Sequence, residues 1–255
     1  MPYVKRTTTA GKTVEVEYYY TARYNRKGQK RADKVKPTKE AQAKVNNRQA
    51  ERKLRLLLNA NFSYGDYHVI LDYIRVKGQP DRTREEMQQD IAKFLRELRK
   101  LYKKNGKELK YIHVMEIGSK GARHHHLVIN KLDTELLQQA WYKAYEGHNR
   151  VKVFPLDDSG NYGELASYLL KYTSKHRDVE TDEGALMGKR YNSSKNLARP
   201  EPVYEIVTER AYYRVSRNPK APKGYYIVPD SVQQGIASPE YYGYGWYRYT
   251  MIKLE

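Results

Sequence analysis

The sequence predicts an α+β fold, a central antiparallel sheet flanked by helices, on three observations. Four short apolar or alternating runs between Tyr67 and Phe154 have the length and composition of strands. Two longer segments among them repeat their apolar residues at helical spacing, each behind a capping residue. Two of the strands meet through Gly118-Ser119-Lys120-Gly121, a connection short enough to close a hairpin.

The elements follow in order. Val14 to Tyr20 suits a strand, and a helix is expected from about Thr38, its cap, to Leu58, ending at Asn59. Tyr67-His68-Val69-Ile70-Leu71-Asp72-Tyr73 suits a strand. Thr83-Arg84-Glu85-Glu86 is a capping box, because a threonine and a glutamate three residues apart can satisfy each other's backbone amides. The helix it opens carries Met87, Ile91, Phe94, Leu95, Leu98, Leu101 and Tyr102 on one stripe and stops at Asn105-Gly106. Tyr111 to Ile117 and His124 to Asn130 form the hairpin. Asp133 caps a helix bearing Leu136, Leu137, Ala140, Trp141 and Ala144, closed by Gly147. Val151 to Phe154 is a short strand, and Asp157 to Gly163 turns into a further helix. Residues 177–200 have the composition of an exposed loop. Within them, Gly184-Ala185-Leu186-Met187-Gly188-Lys189-Arg190 is one residue too short for a phosphate loop, and Arg190 stands where a magnesium-binding hydroxyl is required. No nucleotide-hydrolysing engine is expected.

Composition narrows the function. The chain has 255 residues, a formal net charge of +18 and an isoelectric point near 9.7, which favours a polyanionic partner. Residues 1–55 hold 16 Lys and Arg against 5 Asp and Glu, so the excess charge concentrates there, as a DNA-tracking arm or a solvated basic surface. There are 26 Tyr against 3 Phe and 2 Trp, a bias that suits stacking on the bases of single strands. Ten of those tyrosines follow Glu201, either as stacking platforms or as strands packed on the core. The absence of cysteine excludes disulfides, thiol catalysis and Cys-ligated zinc. No apolar run of about 18 residues is present, and the N-terminus lacks the apolar centre of a signal peptide, so a soluble cytoplasmic protein is expected.

The chemistry concentrates in two motifs. In Arg123-His124-His125-His126-Leu127-Val128-Ile129, strand alternation points His124 and His126 to one face, where they can grip one metal ion. If the hairpin pairs residues whose numbers sum to 240, Glu116 lies opposite His124 on that face as a third ligand. A slip of one residue would turn it away. Two imidazoles and a carboxylate suit a divalent cation such as Mn2+ or Mg2+. His125 points to the other face in a structural role, and His68 and His113 are expected to be packed or hydrogen-bonded on neighbouring strands.

The second motif is Tyr168-Leu169-Leu170-Lys171-Tyr172-Thr173-Ser174-Lys175. On a helix Tyr168 and Tyr172 share one face, as do Lys171 and Lys175. A phenol with a reference pKa of about 10 is a weak nucleophile at neutral pH, so the lysines and a metal-polarised phosphate are the help it needs.

Together the motifs resemble those of the HUH endonuclease superfamily, in particular rolling-circle replication initiators with two tyrosines. His124-His125-His126 stands where that family has His-hydrophobic-His, and the order of histidines before tyrosine matches initiators rather than transfer relaxases. The central His125 departs from the pattern. The resemblance implies an RRM-like core with the histidines on a central strand. The resemblance covers residues from about Asn59 to Arg199, and the chain is expected to divide into a basic N-terminal arm and helix (1–58), a nuclease domain (59–200) and a Tyr-rich extension packed on the core (201–255). It also implies metal-dependent nicking and rejoining of single-stranded DNA at a replication origin. Tyr168, Tyr172 and Lys171 would be catalytic, His124, His126 and Glu116 would hold the metal, and Arg123 and Lys175 would contact DNA. A host helicase and polymerase are the implied partners, in a bacterial cell or phage-infected host. A transposase or mobilisation nuclease shares the same chemistry. A non-catalytic single-strand or origin binder, or a metal hydrolase using activated water, would leave no covalent adduct.

Overall fold

The computed structural model describes residues 3–20, 38–75, 77–78, 80–118, 121–145, 151–175, 190–236 and 244–254, with the side chains of 172–175 excluded. It forms two units. Residues 47–198 make up one, and residues 1–46 with 199–255 the other.

The first unit is built on a five-stranded antiparallel sheet. Its elements are the end of α1 (Lys39–Asn61), β3 (Tyr67–Asp72), α2 (Arg84–Lys104), β4 (Tyr111–Ile117), β5 (Arg123–Ile129), α3 (Thr134–Ala144), β6 (Val151–Pro155), α4 (Gly163–Lys175) and β7 (Asn192–Ser193). The strand order is β6-β3-β5-β4-β7, so the histidine strand β5 lies at the centre. The central antiparallel sheet with flanking helices is as the sequence predicts.

Both faces of this sheet are covered, which explains the unbroken apolar end of β5. On one face Val69, Leu71, Leu127 and Ile129 pack with Ile91, Phe94 and Leu98 of α2 and with Leu137 and Trp141 of α3. On the other, Ile112, Val114 and Val128 pack with Leu54, Leu57 and Leu58 of α1 and with Ala166, Leu169 and Leu170 of α4. Successive residues of each strand thus face different helix pairs. The capping box forms as expected, with the Thr83 hydroxyl accepting from the Glu86 amide at 3.2 Å and the Glu86 carboxylate accepting from the Thr83 amide at 2.8 Å. Asp133 accepts from the Glu135 amide at the start of α3, while Gly147 lies outside the described residues.

Two local expectations change. Helix α1 runs past Asn59 to Asn61, because Asn59 is buried and its Oδ1 accepts from the Tyr162 backbone amide at 2.9 Å instead of ending the helix. The stretch after 190 is more than an exposed loop. β7 pairs with β4, the Ser194 hydroxyl accepts from the Tyr111 amide, and Leu197 is buried. Residues 177–189, including the rejected phosphate-loop match up to Lys189, lie outside the described residues.

The second unit contains β1 (Tyr3–Ala10), β2 (Thr13–Tyr20), β8 (Val203–Val207), α5 (Glu209–Arg217), β9 (Tyr225–Ile227), β10 (Gln233–Ile236) and β11 (Gly245–Lys253). Its sheet runs β10-β11-β2-β1-β8, with β9 also on β11. The N-terminal arm and the tail therefore share one sheet. Tyr3, Tyr18, Tyr212, Tyr247 and Tyr249 form its core with Val14, Val16 and Met251, and Tyr3 stacks on Tyr212 at 4.3 Å between ring centres. These tyrosines are packing residues, whereas Tyr204, Tyr213 and Tyr226 are exposed. Tyr241 and Tyr242 lie outside the described residues.

Phe94 is fully buried between α2, the sheet and the edge of Trp141. Phe94→Ala should cost about 3–5 kcal/mol of stability, measured by urea denaturation. A loss below about 1 kcal/mol would show that this face is loosely packed.

Candidate active site

The site is set by the pairing of β4 with β5. Glu116 lies opposite His124, and Val114 opposite His126, which is the register whose numbers sum to 240. The hairpin is closed by a hydrogen bond from the Gly118 amide to the Ala122 carbonyl at 2.7 Å, and Gly121 adopts a φ of 78° that L side chains disfavour. Gly118 has a second role. A Cβ there would lie 3.2 Å from His124 Cε1, so the missing side chain leaves room for the imidazole.

Glu116, His124 and His126 converge on the α1/α4 face of the sheet. Oε1 of Glu116 is 3.6 Å from His124 Nε2, and Oε2 is 2.6 Å from His126 Nε2. One ligand atom from each residue lies within 4.8 Å of the others. Glu116 and His126 are buried and His124 is partly open, so the cluster has one accessible side. Burial pushes the Glu116 carboxyl up, but the two imidazoles facing it outweigh burial and hold it down at about 2. The carboxylate is therefore ionised at neutral pH.

The donor set suits a divalent cation. Despite its closeness to Glu116, buried Nε2 of His126 makes no hydrogen bond of acceptable geometry. Its other nitrogen, Nδ1, lies 3.1 Å from His68 Nε2. Burial, reinforced by His126, lowers the His68 pKa to about 4, so His68 is neutral and can accept a proton bond. Donation from Nδ1 of His126 to His68 is the tautomer that would present the Nε2 lone pair to a cation. Asp72, opposite His124 on β3, is a further acidic neighbour, but its carboxylate is 2.6 Å from Lys152.

His125 faces the other way, as expected. It is fully buried, with Nε2 2.7 Å from the Tyr73 hydroxyl and Nδ1 3.0 Å from His113 Nε2. Burial, with neighbouring histidines adding to it, lowers its pKa well below the usual range and takes that of His113 down to about 3. Both rings are neutral in the folded protein.

Helix α4 brings the first tyrosine to the cluster. The Tyr168 ring stands edge-on to His126 at 5.5 Å between centres and to His68 at 6.0 Å. It is 40% exposed, with its ring against the histidines. The helix is held by Ala166, Leu169 and Leu170 in the core, and its entry is tied to α1 through the Asn59–Tyr162 hydrogen bond. Lys171, one turn further, is exposed. The side chains of Tyr172 and Lys175 lie outside the described residues. Arg123 shares the strand parity of His125, not of His124 and His126, and so starts from the opposite face of β5. The structure thus joins Glu116, His124, His126 and Tyr168. His68, Gly118 and Asn59 also serve the site, and each acts through a contact that one sequence motif does not contain.

Comparison with known proteins bears on these residues. Residues 67–177 match the family described as Replication-associated protein ORF2/G2P. The match begins with β3 and takes in both the histidine strand and the tyrosine helix, so the resemblance to replication initiators is borne out over this segment. No curated protein and no solved structure matches the chain. No helix among the described residues is long and apolar enough to cross a membrane.

If His68 orients His126 for ligation, His68→Ala should weaken Mn2+ binding about 10-fold in calorimetry, with the fold retained by circular dichroism. Unchanged affinity would reduce His68 to a packing residue.

Proposed function

Taking residues 67–177 as a domain of the Replication-associated protein ORF2/G2P family, we propose that the protein nicks and rejoins single-stranded DNA at a replication origin. The observation that carries this is the Tyr168 ring lying against His126 of the Glu116–His124–His126 cluster. A hydrolase acting through activated water has no need of a phenol there.

Glu116, His124 and His126 would hold a divalent cation, with Mn2+ or Mg2+ the fitting choices and imidazole favouring manganese. Bound there, the cation supplies Lewis-acid polarisation of the scissile phosphate. The Tyr168 oxygen attacks phosphorus as the bond from phosphorus to the 3′ oxygen breaks. The phenol proton is lost to solvent, and the leaving 3′ oxygen takes one up. The products are a 5′-phosphotyrosine and a free 3′-hydroxyl. Attack by a 3′-hydroxyl on the phosphotyrosine reverses these changes and rejoins the strand. One phosphodiester is exchanged for another of similar energy, so no nucleotide hydrolysis is required.

Lys171, on the exposed side of α4 one turn beyond Tyr168, places positive charge near the developing phenolate. Tyr172 is assigned to a second transfer at the regenerated site and Lys175 to the DNA backbone. Arg123, on the other face of β5, is assigned to the strand flanking the site. The 3′-hydroxyl would prime a host polymerase, and unwinding would belong to a host helicase in the cytoplasm of a bacterial cell or phage-infected host.

The test is a denaturing gel of protein incubated with Mn2+ and labelled single-stranded DNA from its own locus. Wild type should give a metal-dependent, label-bearing protein band, absent in Tyr168→Phe and His126→Ala. Loss in Tyr172→Phe but not Tyr168→Phe would move the nucleophile by one turn. Tight binding with no adduct from any cognate strand would establish a binding protein instead. Lys171→Ala should slow adduct formation more than it weakens DNA binding, and equal losses would count against its catalytic role.

A further inference from the structure

Strand β5 has an ambiguity that its apolar residues do not resolve. Leu127, Val128 and Ile129 are all fully buried, so both faces of the strand are core. A one-residue slip would exchange the faces of every side chain at little cost in apolar burial. It would also turn His124 and His126 away from Glu116 and bring His125 in. The middle residue is a third histidine.

The face behind β5 contains a group of polar residues that accept an imidazole at that one position. His125 is held through both ring nitrogens, by the Tyr73 hydroxyl at 2.7 Å and by His113 Nε2 at 3.0 Å. Beside the Tyr73 hydroxyl is the buried carboxylate of Asp90, close enough to add to burial in raising the phenol's pKa, and its Oδ2 lies 3.3 Å from Arg82 Nε. The Arg82 guanidinium rests over the Tyr145 ring at 4.8 Å. One proton order satisfies the series. Tyr73 donates to the Asp90 carboxylate and accepts from Nε2–H of His125, and Nδ1 of His125 accepts from Nε2–H of His113. A carboxylate paired with arginine thereby fixes the direction of three neutral groups in an otherwise apolar layer.

We infer that His125, Tyr73 and His113, oriented by Asp90 and Arg82, are positioning residues that lock the register and facing of β5 so that His124 and His126 meet Glu116. The backbone between 124 and 126 is extended, so a ring fixed at 125 fixes the direction of both neighbours. This inference rests on the proposed metal site, and the experiment separates the two.

Mn2+ affinity of the full chain is measured by calorimetry, alongside thermal unfolding without metal, for wild type and four variants. Glu116→Ala tests the site itself. Tyr73→Phe removes one hydrogen bond to His125 without creating a cavity. The triple variant Tyr73→Phe/His113→Leu/His125→Leu replaces the series with apolar groups, which can leave stability nearly unchanged. Ile129→Val destabilises the same face without touching the series. Tyr73→Phe and the triple variant are expected to bind Mn2+ about 10-fold more weakly, with Ile129→Val like wild type at a similar or greater loss of thermal stability. If both network variants bind within about twofold of wild type while Glu116→Ala has lost affinity, the positioning role is overturned and the site stands. If the triple variant does not fold, Tyr73→Phe alone decides by the same criterion. Wild type that takes up no Mn2+, or Glu116→Ala that binds like wild type, overturns the site and the positioning role with it.

Discussion

The site depends on the register of the β4–β5 hairpin. The observed alignment of these strands puts a carboxylate across from a histidine on the face where a second histidine also points, and a one-residue slip would turn it away. Burying Glu116 is unfavourable by itself, since an ionised carboxylate loses its hydration and regains it only in part from partners. The imidazoles of His124 and His126 supply those partners and hold the carboxyl ionised. Such clusters contribute little to stability and much to defining one arrangement. The apolar layers on both faces provide the stability, and the hairpin, closed at Gly118, sets the geometry.

The same contact, one histidine ring nitrogen against another, occurs on both faces of β5 with different consequences. His68 meets His126 on the side of the tyrosine helix, and His113 meets His125 on the side of α2 and α3. Burial keeps His68, His113 and His125 neutral, so neither contact sets two cations against each other. The first occupies Nδ1 of His126 and leaves its Nε2 facing Glu116 at 2.6 Å. The second leaves His125 with both nitrogens occupied and no capacity for a ligand. Identical side chains at consecutive positions thus acquire opposite chemistry from their partners.

What could be read from the sequence was what short-range geometry decides. The capping box at Thr83, the stripe from Met87 to Tyr102 and the hairpin turn all lie within a few residues of the groups they organise. The Glu116–His124 pairing was legible for the same reason, because a tight turn leaves few registers open. His68 was on the right strand, but its contact with His126 depends on the β3–β5 register, and α2 lies between those strands in the chain. Asn59 reads as a helix stop until the loop before α4 provides its partner. The pairing of β2 with β11, which turns a basic arm and a Tyr-rich tail into one sheet, joins opposite ends of the chain, and no local pattern specifies it. The sequence left the tail's tyrosines open between stacking and packing, and burial decides in favour of packing for Tyr212, Tyr247 and Tyr249.

The proposed chemistry requires a largely buried cluster to act on a polymer. Glu116 and His126 are closed off, His124 is partly open, and Tyr168 is the most exposed member of the group. Exposure therefore increases from Glu116 and His126 towards Tyr168. In the proposed function, the DNA strand approaches from the Tyr168 side. The helix that carries the tyrosine is anchored by Ala166, Leu169 and Leu170 and by the tie from Asn59 to Tyr162. Rigidity at the root of α4 and openness at its Tyr168 face are complementary demands of the proposed chemistry. A nucleophile attached to a moving element would lose its alignment between cleavage and rejoining, whereas a buried one could not receive DNA.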